Sequence, residues 1–511
     1  MKPLSRRDVL KLSALTLGGA ALAHARPRVA PDASNRPNIL ILLFDTTSAP
    51  HCSLYGYPRQ TTPNLERFAA RSTVYHAHYS AGNFTTPGTA SILTGMLPWH
   101  HRAVNTNAPI RRDLVPGNLF ALAGPSYTRV GFTQNYLADV FLRQFNADLD
   151  IHLPSSAFAF PNPMLLGESE RDLIPFYAFE DFLTGGVLVD RPPGSLDMGL
   201  MDIVTGRGRT LSKELSRLNP REVPYSGFYY YENRSVYRGV LETIRKTAEN
   251  GGSFLGYFHL LSPHAPYAPT AEFSGLYADG MQVSRKGFHA LIPNKDRIEY
   301  EIQDLYAQRY DQFLANVDAE FGYLIEQLEQ SRLLDNTYVV VLSDHGELFE
   351  RGIHGHATRL LYQGVVRVPL LISAPGQTQR VDIHEPTSNV DILPTLAALM
   401  GSELPENLDG RILPGFGGEA GERPIVCVEA KEGSAFRPLE RASFTLIRGT
   451  HKLIHYIGYP EKEKVIELYD LEADPDEIQN IALDEALLAR RMLEELTEAR
   501  VQADAPYAAR K

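Results

Sequence analysis

Apolar positions along the chain fall into two kinds of run. Ile39 to Phe44 and Val339 to Leu342 are unbroken, and each stops at polar residues, Asp45 after the first and Ser343-Asp344-His345 after the second. A strand apolar on both sides is covered on both faces, as in a parallel sheet flanked by helices. Thr128 to Phe132, Phe254 to His259 and Val368 to Ser373 are further strand candidates. The other kind of run has helical periodicity, over Arg297 to Gln330 and Asp391 to Met400. The alternation predicts a large α/β domain with a mostly parallel central sheet flanked by helices.

From 134 to 235 the chain is richer in Pro, Phe and Gly and loses periodicity. This stretch reads as insertions over one end of the sheet. After Pro424 the character changes. Ile425 to Val428, Ser443 to Ile447, Lys452 to Tyr456 and Val465 to Tyr469 are strand-like, and Leu483 to Ala499 reads as a helix. They predict a small C-terminal α+β subdomain with an antiparallel sheet over 421–511, beside a main domain over 37–420.

Composition narrows the partners. The 511 residues are 43% apolar, an ordinary globular proportion. A formal charge of -11, with no basic run beyond the N-terminus, argues against nucleic acid. At the N-terminus, Ser5-Arg6-Arg7-Asp8-Val9-Leu10-Lys11 precedes an apolar stretch from Leu12 to Ala23 and a small-x-small site, Ala23-His24-Ala25. Residues 1–25 therefore read as a twin-arginine export signal, and 26–36 as a linker. The expected partner is the twin-arginine export machinery, and the expected location periplasmic or extracellular. No stretch is long and apolar enough to be an integral membrane segment of the mature chain. Two cysteines, Cys52 and Cys427, are too few for a disulfide scaffold, although one bridge between them is open.

The candidate chemistry lies where strands end. Ligands of open parallel sheets bind beyond the carboxyl ends of the strands, and Asp45 and Asp344-His345 stand at two such ends. Together they suit one divalent cation, Mn, Zn, Ca or Mg. Asp45 alone would equally cap a turn, whereas the run Asp344-His345-Gly346-Glu347 after four apolar residues reads more as a site than as a cap. A second pattern is Asn83-Phe84-Thr85-Thr86-Pro87-Gly88-Thr89. Proline as the first helical residue would place Thr85 and Thr86 at a helix N-terminus, which favours an anion. A metal-bound hydroxyl there is a candidate alkoxide nucleophile, while threonine is also a common N-cap. In Phe258-His259-Leu260-Leu261-Ser262-Pro263-His264-Ala265-Pro266, the prolines hold His264 in a loop after a strand. It is placed to bind an oxyanion, to protonate a leaving group, or merely to hydrogen-bond backbone. His354 and His356, in Arg351-Gly352-Ile353-His354-Gly355-His356, follow Asp344-His345 closely and either reach the same site or are solvated.

Taken in order, these segments resemble the sulfatase family of the alkaline phosphatase superfamily, over nearly the whole mature chain. Asn38 to Asp45, Leu54-Tyr55-Gly56-Tyr57 and Thr62-Pro63-Asn64-Leu65 look like its opening strand and first helix. Thr85 to Gly95 is similar to its nucleophile motif, Cys-x-Pro-x-Arg followed by Ala-x-x-Leu-Thr-Gly. Pro263-His264-Ala265-Pro266, Ser343 to Glu347, Gly355-His356 through Pro369, Asp391 to Thr395 and Glu467 to Leu471 resemble its later signatures. The departures are specific. Thr85 stands where sulfatases carry a cysteine or serine oxidised to formylglycine, and threonine cannot give that aldehyde. Thr89 replaces the motif's arginine, Thr46 the second opening aspartate, and His345 the usual asparagine, and the usual lysine after the nucleophile is not evident. The set resembles the phosphonate monoester hydrolase and phosphoglycerol- or phosphoethanolamine-transferase branches.

The resemblance implies an alkaline-phosphatase-like fold and one divalent cation held by Asp45, Thr85, Asp344 and His345. It implies Thr85, His264 and His356 as catalytic residues, with His354 the alternative to His356. The expected activity is hydrolysis of phosphoric or phosphonate esters through a covalent threonine intermediate, on a small-molecule, glycan or lipid ester. Alternatives are sulfate ester hydrolysis without formylglycine, phosphoryl transfer, and a non-catalytic binding module.

Overall fold

A computed structural model describes residues 36–106, 108–159, 225–226, 229–460 and 465–508. The predicted export signal, the linker up to residue 35, and residues 160–224 of the predicted insertions lie outside the described residues.

The main sheet has eight strands: β1 (Asn38–Phe44), β2 (Thr73–Tyr75), β3 (Tyr127–Thr133), β4 (Ile151–Leu153), β5 (Ser253–Leu260), β6 (Thr337–Leu342), β7 (Leu370–Ser373) and β8 (Val381–Ile383). Their order is β8-β2-β7-β6-β1-β5-β3-β4, with β7 alone in this sheet running against its neighbours. The pairing registers Leu43 with Leu342 and with His259, and His259 with Thr133. The carboxyl ends of β6, β1, β5 and β3 are therefore level, and the residues that follow them share one edge.

Alternation along β1 divides the core. Leu40, Leu42 and Phe44 pack on the side of helices α3 (Asn233–Glu249) and α4 (Tyr300–Gln330). Ile39, Ile41 and Leu43 pack on the side of α1 (Thr85–Thr94), α2 (Tyr136–Gln144) and α5 (Ile392–Met400). Ile39 to Leu43 have no exposed surface, and each such side chain contributes about 1.5–3 kcal/mol by burial. This is why the run is apolar without alternation.

A second sheet, β9 (Ile425–Glu429), β10 (Ala442–Arg448), β11 (His451–Ile457) and β12 (Val465–Asp470), is antiparallel throughout. Helix α6 (Ala486–Ala508) packs on it, and their core also takes in Trp99 and Val104. A mostly parallel sheet flanked by helices, with a small antiparallel sheet near the C-terminus, is the expected architecture. No helix among the described residues is long and apolar enough to cross a membrane.

Several boundaries move. The helix expected from Arg297 begins at Tyr300, and the one expected over Leu483 to Ala499 runs from Ala486 to Ala508. The strand expected from Val368 begins at Leu370, because Pro369 has no N–H to give the ladder. Residues 134 to 153 are not an insertion, since α2 and β4 complete the main sheet at its edge. Cys52 and Cys427 are buried free thiols in different cores, so no bridge joins them.

Candidate active site

Each side chain of the site is set by backbone at the shared edge. After β1 the chain turns through Thr46, whose φ of 61° is left-handed, a conformation costing about 1–2 kcal/mol for an L-residue with a Cβ. Neighbours brace it. The Tyr310 hydroxyl on α4 donates to the Thr46 carbonyl at 2.8 Å and accepts from the Ser48 N–H at 2.9 Å. The Thr47 N–H donates to Ser343 Oγ at 2.9 Å, tying the end of β1 to the end of β6. The Asp344 carbonyl accepts from Ser80 Oγ and from Asn389 Nδ2. Helix α1 closes over the same carbonyl at Gly88, where a Cβ would lie 2.4 Å from that oxygen. Only glycine permits so close an approach.

Helix α1 starts two residues earlier than expected. Thr85 is its first residue, and Pro87 sits third rather than first. The N-cap is Phe84, which has no side-chain oxygen to cap with. The Thr85 hydroxyl is therefore not an N-cap. It lies 3.4 Å from His345 Nε2 and accepts from Asn135 Nδ2 at 3.1 Å, with only 1% of the residue exposed.

Asp45, Asp344 and His345 converge beside it. Their ligand atoms lie within 4.8 Å of one another. His345 Nε2 is 3.4 Å from Asp45 Oδ1 and 3.5 Å from Asp344 Oδ2. Among the described residues those two buried oxygens have no hydrogen-bond partner. His345 Nδ1 donates to the Gly346 carbonyl at 2.9 Å, leaving the Nε2 lone pair free. Burial, assisted by the nearby His356, takes the His345 imidazole down to about 3, the neutral state that a metal requires. Burial would raise Asp45, but His264, His259 and His345 hold it below the usual carboxylate range. Asp344 is pushed well above that range by burial and by the charge of Asp45. Two orphaned carboxylate oxygens, one imidazole lone pair and an adjacent hydroxyl fit one divalent cation, whose charge would relieve both the crowding and the missing partners.

Around this centre lie the histidines. The His356 ring is 4.4 Å from that of His345 and 4.9 Å from that of His264, centroid to centroid. His356 Nδ1 faces Glu347 Oε1 at 2.9 Å. Burial opposes charge on His356, yet Glu347 outweighs it and raises the imidazole above its ordinary value. Asn83, two residues before Thr85, donates to the carbonyls of His356 and Thr358 and clamps their loop. His354 stacks instead on Tyr306, at 3.8 Å and 7°, so His356 rather than His354 pairs with Glu347.

Three participants were not singled out from the sequence. Asn135 Nδ2 donates to Asp45 Oδ2 at 2.6 Å as well as to Thr85. His259 Nε2 lies 3.2 Å from the same Asp45 Oδ2. Glu347 orients His356. Asn135 and His259 carry the signal that marked Asp45, a polar residue at the end of a strand. Glu347 lay within the segment already matched.

The fold and the motifs agree with known proteins. The family model described as sulfatase matches residues 37–147 and 195–402, and that described as N-sulphoglucosamine sulphohydrolase, C-terminal, matches 352–502. The choline-sulfatase of Rhizobium meliloti is 26% identical over 478 residues, covering 88% of this chain and 83% of its own. A multifunctional alkaline phosphatase superfamily protein of Trinickia caryophylli is 24% identical over 510 residues, covering 89% and 93%. In fold, the crystal structure of the phosphonate monoester hydrolase of Agrobacterium radiobacter superposes with a TM-score of 0.63 at 19% identity, over 92% of this chain and 96% of that one. The metal-ready edge, the threonine-led helix and the two family matches have one meaning: the chain is an ester-hydrolysing enzyme of the sulfatase family, a metal-dependent family within the alkaline phosphatase superfamily.

Proposed function

We propose that this enzyme cleaves phosphoric or phosphonate esters of small molecules, glycans or lipids, with Thr85 as a covalent nucleophile. One observation carries the reading: a buried threonine hydroxyl, free of any capping role, faces His345 Nε2 at 3.4 Å and the Asn135 amide at 3.1 Å. Threonine cannot become formylglycine, so its own oxygen is the candidate attacker. The multifunctional alkaline phosphatase relative and the phosphonate hydrolase structure support the phosphorus side of the choice.

Asp45 Oδ1, Asp344 Oδ2, His345 Nε2 and Thr85 Oγ1 would hold a divalent cation such as Mn, Zn, Ca or Mg, which when bound would lower the hydroxyl pKa and neutralise phosphoryl oxygens. Thr85 Oγ1, its proton lost to solvent, attacks phosphorus in line, and the ester P–O bond breaks with its electron pair going to the leaving oxygen. The first helical N–H groups of α1 and the Asn135 Nδ2 donor stabilise negative charge at the attacking oxygen and its surroundings. His356, whose imidazole Glu347 raises above its ordinary value, would supply a proton to the leaving oxygen. His264 stands against His356 and binds a non-bridging oxygen. Water then releases the phosphoryl group from Thr85. Sulfate esters are the second reading, favoured by the choline-sulfatase relative. Export by the twin-arginine route to the periplasm or beyond completes the proposal, supported by Arg6-Arg7 and the apolar stretch after them.

The test is a slow aryl phosphate or phosphonate substrate with the purified, metal-loaded enzyme. A phosphoryl mass should appear on the peptide containing Thr85, and Thr85→Ala should abolish turnover while substrate binding stays measurable. Wild-type turnover in Thr85→Ala would make a bound water the attacker instead.

A further inference from the structure

Among the described residues the proposed centre is short of positive charge. Asp45 and Asp344 together balance one dication, which leaves the charge of an incoming ester anion to other groups. Among the described residues, the charges that act most strongly on Asp45, Asp344, His345, Glu347 and His356 are those of the site's own carboxylates and imidazoles, with one addition, Lys431 at His356. Nor does the helix that carries Thr85 bring a basic residue of its own: Thr85 to Gly95 contains no Lys or Arg.

Lys431 comes from the other sheet. It follows β9 by two residues, and its ammonium stands 5.9 Å from the centre of the Phe84 ring, the residue just before Thr85. The backbone there is fixed at both sides. The Lys431 N–H donates to Glu429 Oε1 at 2.9 Å, and Asn105 Nδ2 donates to the Lys431 carbonyl at 2.7 Å and to that of Gly433 at 2.9 Å. Glu429 is itself held by the Tyr459 hydroxyl at 2.6 Å. The side chain is half-buried and makes no ion pair among the described residues. Held by a fixed backbone beside Phe84, the ammonium feels the charge of Glu429 but makes no ion pair among the described residues, which leaves it available to a ligand anion.

We propose that Lys431, carried by the C-terminal sheet, is a substrate-binding cation that contacts the non-bridging oxygens of the transferred group. The inference rests on the reading of the site above only for where that group lies. It gives the second sheet a part in the chemistry, since a residue more than 300 positions from Thr85 completes the anion site.

Inorganic phosphate and inorganic sulfate are the probes, used as competitive inhibitors of the metal-loaded full chain. Lys431→Met should weaken inhibition and raise KM about tenfold or more, the scale of one lost charge-assisted contact. Metal content should be unchanged and kcat should move less than KM. Lys431→Arg should restore most of the inhibition, and added salt should shrink the difference between wild type and Lys431→Met. Inhibition within twofold of wild type in Lys431→Met, or a fall in kcat with inhibition intact, would overturn the proposal and leave a lysine resting on Phe84. The two probes separate the failures. A wild type inhibited by sulfate but not phosphate counts against phosphorus esters, while the Lys431 comparison is still read with sulfate.

Discussion

Asn135 ties the proposed cation site to the nucleophile, and its two jobs can be separated by two substitutions. Its Oδ1 accepts from the Leu137 N–H at 2.9 Å and caps α2. Its Nδ2 donates to Asp45 Oδ2 at 2.6 Å and to Thr85 Oγ1 at 3.1 Å. Asn135→Ser keeps an N-cap oxygen but is too short to reach Asp45 or Thr85, whereas Asn135→Ala loses both. The cap is worth about 1 kcal/mol, so Ala should be less stable than Ser by about that amount in urea unfolding with chelator present. The donor to a buried carboxylate is worth about 1.5–3 kcal/mol. At 1.36 kcal/mol per decade, both variants should lose about 10- to 100-fold in kcat/KM with metal present. If Asn135→Ser turns over substrate like wild type, Asn135 is a cap and nothing more, and the link between Asp45 and Thr85 has no part in the chemistry.

Asp45→Ala and Asp344→Ala should each abolish metal binding, measured as bound metal after gel filtration, while circular dichroism stays native; full metal content in both would remove the site. His264→Ala and His356→Ala should keep the metal and lose turnover by roughly 10²–10⁴-fold, and near-normal rates in the double variant would take both out of the mechanism. The His356 imidazole is raised above its ordinary 6.5 against the effect of burial, by the charge and hydrogen bond of Glu347. Its acid form is therefore complete below 6.5 and is lost as pH rises through the raised value, so kcat/KM should fall on the alkaline side. Glu347→Gln should move that limb to lower pH, and an unmoved limb would assign the acid elsewhere. Replacing Arg6 and Arg7 with lysine should leave the precursor in the cytoplasm, and normal processing would refute the twin-arginine route.

Legibility in the sequence followed the range of the forces involved. The runs Ile39 to Phe44 and Val339 to Leu342 are apolar because both faces of the strands are covered, so strand, sheet type and the polar residue at each end were all readable locally. Thr85, Asp45, Asp344 and His345 were readable as motif positions. The direction of β7 was not, because pairing sense depends on the path between strands and not on side chains. Asn135 was missed because its partners are 90 and 50 residues away, and because the weak periodicity after residue 134 hid a helix of only nine residues. Lys431 was missed for the same reason. A lysine two residues beyond an apolar strand carries no mark of the site proposed for it until the two sheets are placed.

The departures from the family motif become coherent once the contacts are seen together. A hydroxyl is a weak nucleophile at neutral pH, so a threonine at this position works only if its oxygen is fixed to within a fraction of an ångström of its activating groups. Side chains alone are too mobile for that. Here the spacing is set by backbone: Gly88, three residues into α1 from Thr85, rests against the Asp344 carbonyl so tightly that no Cβ fits. Helix and strand end therefore move as one body, and the proposed nucleophile is placed relative to Asp344 and His345 by main-chain contact. Asn135 makes the corresponding link to Asp45. With both carboxylate strands locked to the helix in this way, the neutral His345 Nε2 is held beside the threonine oxygen. On the proposed mechanism, threonine in the nucleophile motif relies on a donor such as Asn135, rather than on an oxidised side chain, to hold and stabilise the attacking oxygen.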